Sequence, residues 1–212
     1  MALIAMRSLT AALIISLVVS GCQSFNARSH SRSQQPPAEA SDLAAAKLHA
    51  LKLAQFARWR AKGKIKITVN GEPHSASFEW QQFNKNYAIN FFGPLGYGNS
   101  WLRRTSKGVT FESPEQRPRW AVSAEQLMQQ ALGWQAPISE LQYWIKGQPA
   151  PDALLDEIAL IDQGAYSALT QQGWTLEFSR HLHFNDVWLP QRLEAKRDSL
   201  TVLIVIKSWE RI

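Results

Sequence analysis

Cysteine occurs once in the 212 residues, at Cys22, so no internal disulfide can staple this chain. Charge of one sign is never massed. The formal net charge is +6, but the basic residues are scattered among acids, which excludes a nucleic-acid groove. Long apolar runs are missing too. Leu9 to Val19 is almost wholly apolar, but its eleven residues fall short of the roughly 20 a spanning helix needs. No Gly-x-Ser-x-Gly, His-Glu-x-x-His or glycine-rich phosphate loop occurs. His181 and His183, two apart on one strand face, do not complete a zinc site and read as surface or core histidines. Asp152, Asp156 and Glu157 read as a solvated approach to a strand. No catalytic residue, metal or cofactor is therefore expected, and no repeat or second-domain boundary interrupts the chain.

The N-terminus reads as a secretory leader, with Arg7 as its short positive region and Leu9–Val19 as its core. Val19-Ser20-Gly21-Cys22 follows, and small residues before a cysteine at that place resemble the bacterial lipobox. In proteins with that pattern the leader is cut before the cysteine, which is then lipidated. The alternative is an ordinary signal peptide with an incidental cysteine. Each buried methylene adds about 0.8 kcal/mol of membrane affinity, so two or three chains on Cys22 would anchor the protein stably. Gln23 is permissive for the outer membrane, by resemblance to enterobacterial sorting rules. The organisation expected is a leader over 1–21, the lipidated cysteine and a flexible tether over 22–41, and one domain over 42–212. Gln23–Ser41 is polar and small, with Pro36-Pro37, and spans roughly 24 Å when flexible.

The period of the pattern then sets the elements. Ser41-Asp42 opens a helix that runs to Gln55. Its apolar face is broad, with Leu48 and Leu51 on one side and Leu43, Ala46, Ala50 and Leu53 on the next, so it is expected to pack on the body. From Lys64 the period is two. Strands are read over 64–69, 75–81, 87–91, 101–104 and 109–112 as antiparallel hairpins, with Ala76, Phe78 and Trp80 on one face. Ser123 and Gln126 resemble a capping box for a helix with Leu127 and Met128 facing inward. Pro137 opens a third helix with Ile138, Leu141, Trp144 and Ile145 at helical spacing, stopped by Gly147 and Pro149. Strands resume at 155–161, 166–171, 174–179 and 189–196. Leu200–Ile206 is apolar on both faces, so it belongs mid-sheet or under a helix. The fold class is mostly β (α+β): a curled antiparallel sheet, an incomplete barrel with helices covering an apolar cavity.

All nine tryptophans lie between Trp59 and Trp209. They either fill a solid core or line a hollow. In the hollow reading, the candidate walls are Phe78, Trp80, Ile89, Phe91, Leu127, Leu141, Trp144, Ile145, Trp174, Leu176 and Phe178. A second oddity is the turn Gly93-Pro94-Leu95-Gly96-Tyr97. Pro94 pre-sets a β-turn, and Gly96 suits the left-handed conformation after it. Leu95 either tucks back onto the body or stands out as an apolar finger that touches lipid.

The lipobox at Cys22, Trp80-Gln81-Gln82, Gly93-Pro94-Leu95-Gly96, Pro137…Leu141-x-x-Trp144-Ile145-x-Gly147-x-Pro149, Gly173-Trp174, Leu189-Pro190 and Ile206-x-x-Trp209 together resemble the LolB family of outer-membrane lipoprotein receptors. The resemblance implies an incomplete barrel with a helical lid and an apolar cavity for acyl chains. It also implies a monomer without catalysis, anchored in the outer membrane and facing the periplasm. Such a receptor takes acylated lipoproteins from the periplasmic carrier LolA and inserts them into the inner leaflet. Leu95 matches the family's protruding leucine, needed for insertion, in a loop with Pro94, Gly96 and Tyr97. The competing readings are a structural envelope lipoprotein and, last, a lipid-modifying enzyme. If Leu95 is that finger, Leu95→Glu will keep substrate loading but stop release into liposomes; normal insertion by this variant would sink the assignment.

Overall fold

A computed structural model describes residues 40–93, 99–114, 116–132, 137–151 and 153–212. Cys22, the leader, the tether up to residue 39, the turn residues Pro94, Leu95, Gly96 and Tyr97, and Asp152 lie outside the described residues. Eleven strands and three helices follow in the order α1 (Ala40–Gln55), β1 (Arg58–Val69), β2 (Glu72–Phe83), β3 (Asn86–Phe92), β4 (Ser100–Thr105), β5 (Gly108–Ser113), β6 (Gln116–Ala121), α2 (Ala124–Leu132), α3 (Ile138–Trp144), β7 (Leu155–Leu160), β8 (Tyr166–Gln171), β9 (Trp174–Phe184), β10 (Val187–Arg197) and β11 (Leu200–Arg211).

The strands form one antiparallel sheet in the order β6-β5-β4-β3-β2-β1-β11-β10-β9-β8-β7. It is two meanders, β1–β6 and β7–β11, joined where β1 pairs with β11. The ends β6 and β7 do not pair, so the barrel is incomplete. The segment that carries α2 and α3 connects these two edges. Leu200–Ile206 sits in the middle of the sheet, as its two apolar faces require. Its inward residues Val202, Ile204 and Ile206 are fully buried, while Leu203 and Val205 on the other face are half-buried.

Several elements run longer than the pattern suggests, β2 over Glu72–Phe83 and β11 on to Arg211 among them. β1 begins at Arg58, six residues before Lys64. Trp59 and Ala61 already alternate inward, but Gly63 hides the continuation because it has no side chain. A Cβ at Gly63 would lie 2.1 Å from the Val205 carbonyl oxygen, at a bulge between Lys62 and Gly63. Only glycine lets β1 and β11 close there. β6 was not foreseen at all. It is an edge strand carrying Arg117, Pro118 and Arg119, and polar or proline-bearing edges are how sheets blunt an unpaired side. β9 runs on to Phe184 through His181 and His183, with Arg180 at φ 57°.

α1 starts at Ala40, one residue before the expected Ser41 cap, and packs through one side only. Ala46, His49 and Leu53 face inward, while Leu43, Leu48 and Leu51 are about half exposed. The helix is pinned by His49, whose Nε2 accepts the Trp188 N–H at 3.0 Å. Gly164 lets the chain after β7 approach the backbone of Ala45 and Ala46, where a Cβ would sit at 2.4 Å.

Burial holds the His49 imidazole below its ordinary range, because a charged ring there is poorly solvated, although the nearby Trp188 carbonyl pulls the other way. His181, half-buried against the Tyr166 carbonyl, is lowered by burial as well. A histidine whose folded pKa is depressed gives full stability above 6.5 and loses it as pH falls through the folded value. Denaturant unfolding is therefore expected to show falling stability from pH 7 to pH 5. His49→Gln should remove part of that slope; an unchanged slope would contradict the role of His49.

Candidate functional site

The concave side of the sheet gathers the side chains that alternate inward. From β1 to β3 these are Ile65, Phe78, Trp80 and Ile89, all buried, with Phe91 half-buried at the strand end. β9 contributes Trp174, Leu176 and Phe178, also buried. An apolar face of this size cannot be left to water, since each Å² costs about 25 cal/mol, and α2 and α3 cover it. Leu127 comes from α2, and Ile138, Leu141 and Trp144 from α3, with Ile145 just beyond its end; none is more than 5% exposed. The eleven residues expected on the walls all belong to, or pack against, this one cluster.

Among the described residues, part of these walls closes directly onto α3. The space between Ile65, Phe78, Trp80, Ile89, Phe91, Ile138, Leu141 and Ile204 is about 20 Å³, room for about one water and far less than an acyl chain fills. α3 occupies the trough. Ile65, Ile138 and Ile204 line that space although they were not singled out as walls; their inward alternation was the available signal. A train of rings fills the neighbouring end of the trough: Phe184, Phe56, Trp209, Trp59, Trp80 and Tyr87, with successive centroids 5.3–6.1 Å apart. Edge-on and tilted pairs at such spacing add to simple burial. Burial pushes the Tyr87 phenol up, and its hydroxyl has no hydrogen-bond partner among the described residues.

Two buried glutamines hold α3 in place, and pattern reading did not pick them out because a lone polar residue carries no periodicity. Gln82 accepts the Trp80 indole N–H at 2.8 Å and donates to the Asn84 carbonyl at 2.7 Å and to Gln142 of α3 at 3.2 Å. Gln171 accepts the Trp144 indole N–H at 3.0 Å and the Ala150 N–H at 2.8 Å. Its amide donates to the carbonyls of Ala150 at 2.9 Å and Ala153 at 3.3 Å. Trp144 meanwhile packs on Trp174 at 5.7 Å. α3 is thus clamped to both meanders by amides rather than by charges. α2 is tied to it where Glu125 accepts the Ser139 N–H at 2.9 Å.

Among the described residues no three His, Cys, Asp or Glu side chains cluster as a metal site. His181 and His183 are apart in role: the first meets the Tyr166 carbonyl and the second packs on Trp188. Among the described residues no helix is long and apolar enough to cross a membrane.

The class this defines is an open antiparallel barrel whose apolar trough is closed by a lid from its own chain. The family model described as "Outer membrane lipoprotein LolB" matches residues 57–209. A protein of that name from Pseudomonas fluorescens is 33% identical over 192 residues, covering 91% of this chain and 90% of that one. Another, from Pseudomonas paraeruginosa, is 34% identical over 164 residues, covering 77% and 80%. The chain belongs to the LolB family. Among solved structures, a LolA superfamily protein from Nitrosomonas europaea overlays with a TM-score of 0.46 at 8% identity, over 77% of this chain and 94% of that one.

Losing Gln171 leaves the Trp144 indole and both backbone groups of Ala150 unpaired. Each buried orphan costs about 1–3 kcal/mol. Gln171→Met is expected to lower unfolding free energy by at least ~2 kcal/mol in denaturant titration; a change under ~0.5 kcal/mol would show that the clamp carries no weight.

Proposed function

We propose that this chain is a lipoprotein receptor of the outer membrane. It accepts acylated lipoproteins from the periplasmic carrier LolA in its apolar trough and inserts them into the inner leaflet. What supports this most is the trough itself: an open sheet with a continuous apolar concave face, covered by a short helix held through a few hydrogen bonds to glutamine amides, in a chain of the LolB family.

The physics sets the path. A sixteen-carbon chain in water costs on the order of 12 kcal/mol, at about 0.8 kcal/mol per methylene. Transfer must therefore run from one apolar surface to another without a free state. The space under α3 among the described residues is too small for a chain, so loading there requires α3 to leave Phe78, Trp80 and Ile89. An incoming acyl chain replaces Ile138 and Leu141 as the apolar partner of those residues, so the core that is opened is refilled. Direction follows from rising affinity along carrier, receptor and bilayer, without a nucleotide. Leu127, Leu141, Trp144 and Ile145 act as the movable wall, and Ile89, Phe91, Trp174, Leu176 and Phe178 as the fixed one. Cys22, lipidated after removal of 1–21, holds the domain at the periplasmic side of the membrane through the tether. Leu95, between Pro94 and Gly96-Tyr97, touches the bilayer at handover. The receptor acts as a monomer and performs no covalent chemistry.

The test is transfer from a lipoprotein-loaded carrier to the purified receptor, followed by crosslinking over time. Receptor-bound lipoprotein is expected to rise as carrier-bound lipoprotein falls. If loaded carrier and receptor are mixed and the lipoprotein stays on the carrier, the receptor reading is wrong.

A further inference from the structure

A second opening lies outside the trough. It is a solvent-open cleft of about 470 Å³ where α1, the β2–β3 turn and the end of α3 meet, within the roughly 300–1,000 Å³ of small-molecule sites. One part of its wall is apolar: Ala50 and Ala54 of α1, Trp59 of β1, and Pro149 and Pro151 after α3. Its charge is one-sided. Lys85 and Lys146 line it, and no carboxylate does among the described lining residues.

Lys146 is the unusual member. Only 7% of it is exposed, and its ammonium group has a single acceptor among the described residues, the Phe56 carbonyl at 3.4 Å. An ammonium has three donors, and burying it without an anion is costly. The backbone at this position is fixed by the turn that ends α3. The Lys146 N–H is bonded to Tyr143 at 3.0 Å and the Gly147 N–H to Trp144 at 2.8 Å. Gly147, at φ 74°, closes the turn against Pro190. A buried cation held beside an apolar wall, with no acid among the described lining residues, calls for a partner that carries negative charge and an apolar portion.

We propose that this cleft binds the anionic head of an amphiphile, a carboxylate or phosphate group paired with Lys146, with the first part of its chain against Ala50, Ala54 and Pro149. The site adjoins the trough, with Gln82, Gln142 and Trp59 in its wall, but its anionic ligand does not depend on the receptor reading. The titratable groups that line it are Lys85 from the β2–β3 turn, Tyr143 from α3 and Lys146 itself; α1 contributes only alanines. Burial pulls the Lys146 ammonium down to about 8, so the cleft is cationic at that residue below this value and loses the charge above it.

The full chain carrying Cys22→Ser is titrated calorimetrically at pH 7 with octanoate, octanol and inorganic phosphate. Octanoate is expected to bind at least tenfold more tightly than octanol, and phosphate at least tenfold more weakly than octanoate. Lys146→Met should erase the preference for octanoate over octanol. The chain that keeps Lys146 should lose the same preference at about pH 10, a readout that needs no variant to fold. A preference that survives Lys146→Met or persists unchanged at pH 10 overturns the proposal, as does phosphate binding as tightly as octanoate. Octanol uptake under α3 would be equal with and without Lys146, so a failure here is distinct from a failure of the receptor reading.

Discussion

The pairing of β1 with β11 is the contact on which the rest depends. It joins strands from opposite ends of the domain, from Trp59 against Arg211 to Val69 against Leu200. Without it there are two meanders, each with an apolar face too small to shelter a core. With it, one curved face runs from β6 to β7. The seam closes only because Gly63 presents no side chain to the Val205 carbonyl. Closing it brings together residues about 140 positions apart, a large loop-closure cost that the buried faces of both strands must offset.

A trough made this way must be covered, and the cover must also be removable if an acyl chain is to replace it. The structure meets the first demand with Ile138, Leu141 and Trp144, and keeps the attachment of α3 modest. Gln82 and Gln171 satisfy buried indole and backbone groups, so they specify one docked position. Neutral amides do this without the desolvation penalty of a buried ion pair. The aromatic train from Phe184 to Tyr87 packs the other end of the trough, ring against ring.

Much of this was legible before the structure. Alternation from Lys64 to Phe91 and from Trp174 to Ile206 marked the strands, because a half-buried sheet imposes period two on its side chains. Helical spacing marked α3, and Leu200–Ile206 declared its central place by being apolar on both faces. The edge strand β6 was not legible, since an edge has one unpaired side and tolerates Arg117, Pro118 and Arg119. Nor was the outward turn of Leu48 and Leu51, because amphipathic patterning does not say which of two apolar stripes meets the body.

By itself, the sequence determined the strands, the helices and the set of apolar residues that must be hidden, for these depend on local periodicity. It also carried the family, through the order and spacing of many weak motifs. Only the tertiary structure decided that α3 packs down onto Phe78, Trp80 and Ile89, that Gln82 and Gln171 clamp it, and that Lys146 is buried in a cleft with no acid among its described lining residues. Those outcomes depend on which distant side chains meet, and a glutamine or lysine has the same letter whether it faces water or a tryptophan.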